Sequence, residues 1–260
     1  MSIEVDRDWW KTLFDEVYLL TDARSVCDDD ISRREADMIC DLLGARPADR
    51  ILDLCGGHGR HSIELAARGY AGCTVVDYSR FLVEQGRARA ERDSRPVEFI
   101  QADARETGLP PGSFDHVFVA GNSLGYIAEA DGDARIVAEA NRVLRKAGRV
   151  LLDVADGERV KARMNPNAWH EIGDDVVVCR HRELADNSLR VREMVLHKRN
   201  GIVRDQTYAI RLFDEDGLAT LLAEGGFTDI TVRRGYAPHR AEGDYGFMNN
   251  RMLAVGVKPD

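Results

Sequence analysis

Residues 50–62 constrain what this chain folds into more than any other stretch. Ile51, Leu52 and Leu54 form a short apolar run, the pattern of a strand buried on both faces. Gly56, Gly57 and Gly59 follow, and from Arg60 the apolar spacing turns helical through Ile63, Leu65 and Ala66. Glycines at such a junction admit backbone angles closed to other residues and let a ligand approach the main chain. The free N–H groups of the new helix's first turn add a partial positive end suited to an anionic group. A turn of this kind is a small-molecule site built from backbone.

Two cofactor classes use such a turn. The dinucleotide fingerprint asks for Gly or Ala three residues after its second glycine, whereas Gly57-x-Gly59 reaches Ser62. A second apolar run, Cys73 to Val76, ends at Asp77, placed to take two ribose hydroxyls on one carboxylate. A third run, Val97 to Ile100, leads into Gln101-Ala102-Asp103-Ala104, where a carboxylate is placed to accept a hydrogen bond from an adenine amino group. The set Asp53, Gly57, Gly59, Asp77 and Asp103 resembles the class I S-adenosylmethionine-dependent methyltransferases, and the likeness runs from about Trp9 to the C-terminus. It is closest to a small-molecule branch whose first motif is L-D-L-x-x-G-x-G-R-H-x-x-x-L-A-x-R-G, matched by Leu52 through Gly69. Cys55 departs from the glycine that family members often carry there. The resemblance implies S-adenosylmethionine as cofactor, held by Arg34, Asp53, Cys55, Gly56, Gly57, Gly59, Asp77, Tyr78, Asp103, Ala104 and Ala120.

Around this centre the chain alternates strand and helix: strands at 51–54, 72–77, 97–101, 114–120 and 149–154, helices at 59–68, 79–92 and 131–146. That alternation calls for an α/β fold, a Rossmann-like seven-stranded sheet with helices on both faces. Ligand is then expected beyond the carboxyl ends of the strands, which is where Asp77 and Asp103 fall. Before it, apolar residues recur at helical spacing from Trp9 to about Gly44, with Ser32 as a plausible N-cap of the second helix. After it, 174–184, 189–199 and 202–213 suggest three antiparallel strands joined by turns at Asp186-Asn187-Ser188 and Asn200-Gly201. Leu218–Gly225 then makes a helix, and Phe227–Arg233 with Phe247–Val257 a closing strand pair. The expected organisation is an N-terminal helical arm over 1–45, a cofactor domain over 46–156 and 214–260, and an inserted antiparallel layer over 157–213 covering the substrate side.

The residues after the fourth strand bear on the acceptor. Ala120-Gly121-Asn122-Ser123 lacks the N-P-P-Y signature of amino-methylating DNA enzymes and the paired carboxylates of metal-dependent O-methyltransferases. No Pro-Cys nucleophile and no metal-ligand spacing is present; His58 and His61 belong to the cofactor turn. W-x-x-x-F-D-x-x-Y, here Trp10, Phe14, Asp15 and Tyr18, resembles the arm that closes over the cofactor in this branch. Tyr18 and Tyr126 are the candidate catalytic residues. Trp10, Asn122, Trp169, His170, Tyr208 and Arg211 are the candidate substrate contacts, with His181 beside them.

A net charge of −9 without a Lys/Arg cluster argues against a nucleic-acid partner. Nothing approaches eighteen consecutive apolar residues, the opening residues are too charged for a secretory signal, and five cysteines form no C-x-x-C pair. These features fit reduced thiols in a cytoplasmic protein with no membrane partner; self-association stays open. The expected function is methyl transfer to a nitrogen or oxygen of a small molecule, such as an amino-sugar or natural-product intermediate, without a metal. The alternatives are a cofactor-binding protein without turnover and an NAD(P)-dependent oxidoreductase.

Overall fold

The computed structural model describes residues 2–22, 27–239 and 246–260. Its apolar runs become a seven-stranded sheet: β1 (Arg50–Leu54), β2 (Gly72–Asp77), β3 (Val97–Gln101), β4 (Phe114–Val119), β5 (Leu144–Ala155), β10 (Thr228–Tyr236) and β11 (Arg251–Val257). They lie side by side in the order β10-β11-β5-β4-β1-β2-β3. β1 to β5 run parallel, and β11 is antiparallel to both of its neighbours.

Strand alternation sends side chains to two separate cores. Ile51, Phe118, Leu151 and Leu253 meet α2 (Asp29–Leu43) and α3 (Arg60–Ala67) on one face. Leu52, Val117, Leu152 and Ala254 meet α5 (Gly132–Val143) and α7 (Glu215–Glu224) on the other. α4 (Arg80–Arg92) packs Val83 and Ala90 on Val75 and Phe99. Strands covered twice have no polar face to show, which is why they are nearly continuous in apolar sequence.

Several boundaries differ from the sequence expectation. The helical pattern from Trp9 breaks into a 3-10 turn, Trp9–Lys11, and a short α1 (Glu16–Thr21). Asp15 makes the break: its backbone is extended, and its carboxylate accepts the amides of Val17 at 2.9 Å and Tyr18 at 3.1 Å. Residues 23–26 of that expected helical stretch lie outside the described residues. The N-cap of α2 is Asp28, not Ser32; Asp28 accepts from the Ile31 amide, and the Ser32 hydroxyl donates back to the Asp28 carbonyl, both at 2.9 Å. α5 ends at Val143, short of residue 146, because β5 starts at Leu144. A 3-10 turn, Gly246–Asn249, precedes β11, so the last strand starts at Arg251 and not at Phe247.

The insertion follows α6 (Gly157–Arg163) as four antiparallel strands, not three: β6 (Asn167–Ile172), β7 (Val176–Ala185), β8 (Ser188–His197) and β9 (Gly201–Arg211). β6 escaped the sequence reading because neither of its faces is buried, and without burial a strand carries no apolar alternation. Leu189, Val191, Tyr208 and Ile210 of the small sheet join the same core as Trp9, Trp10 and Leu13 of the arm. Among the described residues, no helix is long and apolar enough to cross a membrane.

Candidate cofactor and acceptor site

The glycine turn is shaped by close approach. Cys55, Gly57 and Gly59 take φ of 62°, 58° and 69°, the left-handed region that glycine enters without strain. A Cβ on Gly56 would lie 2.5 Å from the Asp53 carboxyl carbon, and one on Gly59 would lie 2.7 Å from the Phe99 ring. Asp53 therefore supports the turn from beneath. It is buried, accepts the Ser62 hydroxyl at 3.1 Å, and is pushed up to about 7 by burial against the opposing pull of that hydrogen bond.

Above the turn, Asp77 closes the end of β2. Gly57 N–H donates to its Oδ2 and Ser79 N–H to its Oδ1, each at 2.8 Å. Burial raises the Asp77 pKa, and these backbone donors oppose the rise. Its remaining lone pairs face a cavity of about 100 Å3. The floor of that cavity is Cys55, Gly57, Asp77 and Leu82; one end is Tyr78, Asp103 and Ala104; the cover is Trp10, Phe14, Tyr18 and Tyr126. Most of the nominated cofactor positions thus converge, together with Tyr18, Tyr126 and Trp10. Ser79, Leu82, Ser123, Ile127 and Ile136 also line the cavity and were not foreseen. Leu82 was within reach of the sequence, since it sits in the first turn of the helix that follows Asp77.

Asp103 does not stand with its oxygens free. Arg105 grips it through Nε at 3.0 Å and Nη2 at 2.6 Å and adds its own amide at 2.9 Å. Burial works against the charge, but Arg105 holds the carboxyl below its ordinary value. The same guanidinium lies 5.4 Å over the Trp10 ring, whose edge meets Tyr78 at 4.7 Å. This end of the cavity is therefore an aromatic wall with one paired acid.

The acceptor end is more aromatic still. Phe14 stacks on Tyr126 with ring centroids 5.7 Å apart and meets Tyr18 edge-on at 5.0 Å, while Trp9 contacts Tyr126 at 5.2 Å and Tyr208 at 5.5 Å. Burial lifts the phenols of Tyr18, Tyr126 and Tyr208 above the ordinary tyrosine value. At neutral pH their hydroxyls are protonated hydrogen-bonding groups.

Other nominated residues are placed elsewhere. Arg34 donates from Nε to the Pro238 carbonyl at 2.8 Å and does not line the cavity. Ala120 is buried in the core on the α2 side. Asn122, at φ 62°, accepts the Ala155 amide on Oδ1 at 2.8 Å and donates its own amide to the Asp153 carbonyl at 3.1 Å, so it fixes the start of the loop after β4 to the end of β5. Arg211 pairs with Asp133 and donates to the carbonyls of Ile127 and Glu129 at 3.2 Å, lacing the same loop to β9. Tyr208 is buried behind Trp9. Trp169 is 70% exposed on β6, the outermost strand, and its neighbour His170 is carried away from the cavity with it. His181 is exposed and bonds Asn167 at 2.8 Å. For the residues on strands, Trp169, His170, His181, Tyr208 and Arg211, the sequence does not tell which face looks inward until the partner strands are placed.

Behind the turn lies a buried ionic cluster that sequence reasoning missed. Glu35 is paired with Arg60 and with Arg251, and receives His61 Nε2 at 2.8 Å. Arg251 Nη1 also lies 2.8 Å from Asp153, whose carboxylate accepts the Gly121 amide at 3.1 Å. This chain of contacts ties α2, α3, β5 and β11 to the loop after β4. Among the described residues, no three His, Cys, Asp or Glu side chains gather as metal ligands.

Comparison with known proteins adds a second line. Residues 51–148 match a methyltransferase domain family model. The chain is 34% identical over 196 residues to a ubiquinone/menaquinone biosynthesis C-methyltransferase, UbiE, of Acidiphilium cryptum, covering 74% of this chain and 71% of that protein. In structure it is similar to the CcbJ methyltransferase of Streptomyces caelestis, with TM-score 0.75, 19% identity, and coverage of 98% and 100%. It is also similar to SAM-bound CalS10, an amino pentose methyltransferase from Micromonospora echinaspora, with TM-score 0.69, 18% identity, and coverage of 95% and 98%.

Proposed function

The chain belongs to the S-adenosylmethionine-dependent methyltransferases, and from that premise we propose that it methylates a nitrogen or oxygen of a small-molecule acceptor beneath the aromatic cover. One observation carries the reading: Gly57 N–H and the Asp77 carboxylate are locked to each other at the mouth of β1 and β2, under Trp10, Phe14, Tyr18 and Tyr126. S-adenosylmethionine supplies a methyl group already activated on a sulfonium.

In this reading Asp77 holds two hydroxyls of the ribose, and Gly57 and Gly59 allow the backbone to come close. Tyr78, Asp103 and Ala104 enclose the adenine end. Aromatic faces tolerate a neighbouring cation, at about 0.5–2 kcal/mol for each contact, and they exclude water. Tyr18 and Tyr126 orient the acceptor through neutral hydroxyls. An in-line displacement needs little beyond that alignment, which is worth about 7–11 kcal/mol when the reacting atoms are held together.

Residues 1–45 serve as the arm, 46–156 and 214–260 as the cofactor body, and 157–213 as the substrate-side cover. The match to a quinone C-methyltransferase stops short of the full chain, whereas the fold shared with an amino pentose methyltransferase includes nearly all of it; that supports a small polar acceptor. The net charge of −9 speaks against a polyanionic one.

Calorimetry with S-adenosylhomocysteine and with NAD(P) tests the cofactor, and a screen of amines and phenols with methyl-labelled S-adenosylmethionine tests the acceptor. Binding of NAD(P) in place of S-adenosylhomocysteine would overturn the first part, and transfer to carbon alone the second. Turnover is expected to persist in EDTA.

A further inference from the structure

The cavity of about 100 Å3 is smaller than the roughly 300–1,000 Å3 of ordinary ligand clefts. Admitting a nucleoside calls for part of the wall to move; beside the strand ends, the glycine turn, Leu82 and Ile136 on helices and the loop that carries Ser123, Tyr126 and Ile127, the wall is made by the arm residues Trp10, Phe14 and Tyr18. What the arm is attached to therefore decides what moves.

Its attachments lead to the small sheet. Arg180, Glu193 and Arg204 form a polar row across the inner face of β7, β8 and β9. Arg180 stands directly opposite Glu193, and Arg204 is opposite Val195, one inward position further on. Arg180 Nε lies 2.7 Å from Glu193 Oε2, and Arg204 Nη1 lies 3.3 Å from Glu193 Oε1. Glu193 is 2% exposed and Arg204 7%, while Arg180 is half-buried at the row's outer end.

Each arginine then reaches one end of α1. Arg204 Nη2 donates to the Leu13 carbonyl at 3.0 Å and pairs with Asp15, the N-cap. Arg180 Nη2 lies 3.4 Å from Asp22, the C-cap. Between these ends, Val17 packs into the apolar cluster of Val176, Val178 and Val195, while the next residue, Tyr18, faces the cavity. The chain's start is tied to the same sheet: Glu183 accepts the Ile3 amide at 2.6 Å. Among the described residues, 2–22 of the arm are tied to the cofactor body by a hydrogen bond from Ser79 Oγ to the Phe14 carbonyl at 2.6 Å and by the exposed Arg7–Glu129 pair at 3.8 Å.

We infer that the arm and the inserted sheet move as one cover, in which Arg180, Glu193 and Arg204 are positioning residues that hold both ends of α1 and so set Tyr18 over the cofactor turn. The part of this inference that concerns cofactor grip rests on the methyltransferase reading. An opening that carried the arm alone would strip the buried Arg204 and the half-buried Arg180 of their outer partners; one that carries sheet and arm together keeps both pairs, with the Arg211–Asp133 pair at the end of β9 as its attachment to the cofactor body.

The test is amide hydrogen exchange on the full-length protein without cofactor, followed by calorimetry with S-adenosylhomocysteine. Asp15→Asn keeps a good N-cap acceptor but removes the charge facing Arg204, and Asp22→Asn does the same for Arg180. Asp205→Asn is the control: Asp205 pairs with Arg192 at 2.6 Å on the same sheet and touches no part of the arm. In the Asp15→Asn/Asp22→Asn protein, amides of residues 16–21 are expected to exchange at least about fivefold faster than in the wild type. The control matches the wild type. A smaller acceleration, or an equal one in Asp205→Asn, overturns the single cover. Affinity for S-adenosylhomocysteine is expected to weaken by about fivefold or more in the double variant; unchanged affinity overturns the positioning role. A wild-type protein that gives no heat with S-adenosylhomocysteine defeats the cofactor reading, and the exchange result still decides whether the cover is one unit.

Discussion

Glu35 lies behind the glycine turn between Arg60 and Arg251; Glu193 lies on the inner face of the small sheet between Arg180 and Arg204. Both glutamates are buried and both gather two arginines, but the outer partners differ. Around Glu35, all of Arg60, His61, Arg251 and Asp153 are buried, and they join α2 to α3, β5 and β11 behind the glycine turn. Around Glu193, the arginines reach outward to Asp15 and Asp22, whose side chains are 42% and 37% exposed. A closed cluster resists any change because each lost partner leaves a charge without water. A cluster with wet ends loses less on opening. The first suits a floor that holds its shape, and the second suits a cover.

The largest effect that would break this contrast is on stability. Glu35→Gln leaves Arg60 and Arg251 short of a counter-charge in a dry site and is expected to cost about 3–5 kcal/mol in urea unfolding. Glu193→Gln leaves Arg204 with Asp15 and Arg180 with Asp22, so its loss is expected to be smaller. Equal losses would erase the distinction between floor and cover.

Acid sharpens the contrast next. Burial, with Arg60 adding to it, depresses the His61 pKa to about 4 despite the Glu35 hydrogen bond. In the unfolded chain His61 titrates near 6.5, so its contribution is complete above that pH and is lost as pH falls toward 4. One depressed group of this size is worth roughly 3 kcal/mol. His239 is also depressed to about 4, so the measurement is a difference: unfolding free energy against pH for wild type and His61→Gln, with the variant's curve flatter between pH 6.5 and 4. Parallel curves would remove His61 from the cluster's energetics.

On the floor itself, Asp77→Ala removes a carboxylate that accepts charged hydrogen bonds worth about 1.5–3 kcal/mol each. Affinity for S-adenosylhomocysteine is expected to fall by roughly 10- to 100-fold in calorimetry, with a lower unfolding temperature as well, because the Gly57 and Ser79 amides lose their acceptor. An unchanged Kd would take Asp77 out of the site.

The smallest effect is from salt. Raising ionic strength from about 0.1 M to about 1 M shortens the screening length from roughly 10 to 3 Å. Exchange in α1, whose outer acids are half exposed, is expected to quicken a few-fold, and exchange in α2, which carries Glu35, to stay as it was. Salt sensitivity in α2 would show that its cluster is wetter than the packing indicates.

The floor was legible because its chemistry is local. Gly57, Asp77 and Asp103 sit at strand ends that apolar runs announce, and a backbone cradle needs few side chains from afar. Glu193 was half legible: it falls between Val191 and Val195 on one face of its strand, and a charge in an apolar row signals an inward pair. Which charges answer it could not be read, since Arg180 and Arg204 are each on another strand and register decides both. Arg34 and Arg211 show the same limit from the other side. Each is an arginine that the family resemblance nominated, and each spends its donors on a carbonyl or an acid that only folding brings near.

By itself the sequence determined the order of strands and helices in the cofactor body, the glycine turn and the acid at the end of the next strand. These follow from periodicity and from backbone angles that only certain residues accept, properties of a short segment alone. The tertiary structure decided which side chains face the cavity, that Asn122 braces a loop, that Glu35 needs Arg251 from the far end of the chain, and that the arm is held by the inserted sheet. Those are contacts between distant segments, set by strand order, register and the rotation of each helix, and no short-range pattern encodes them.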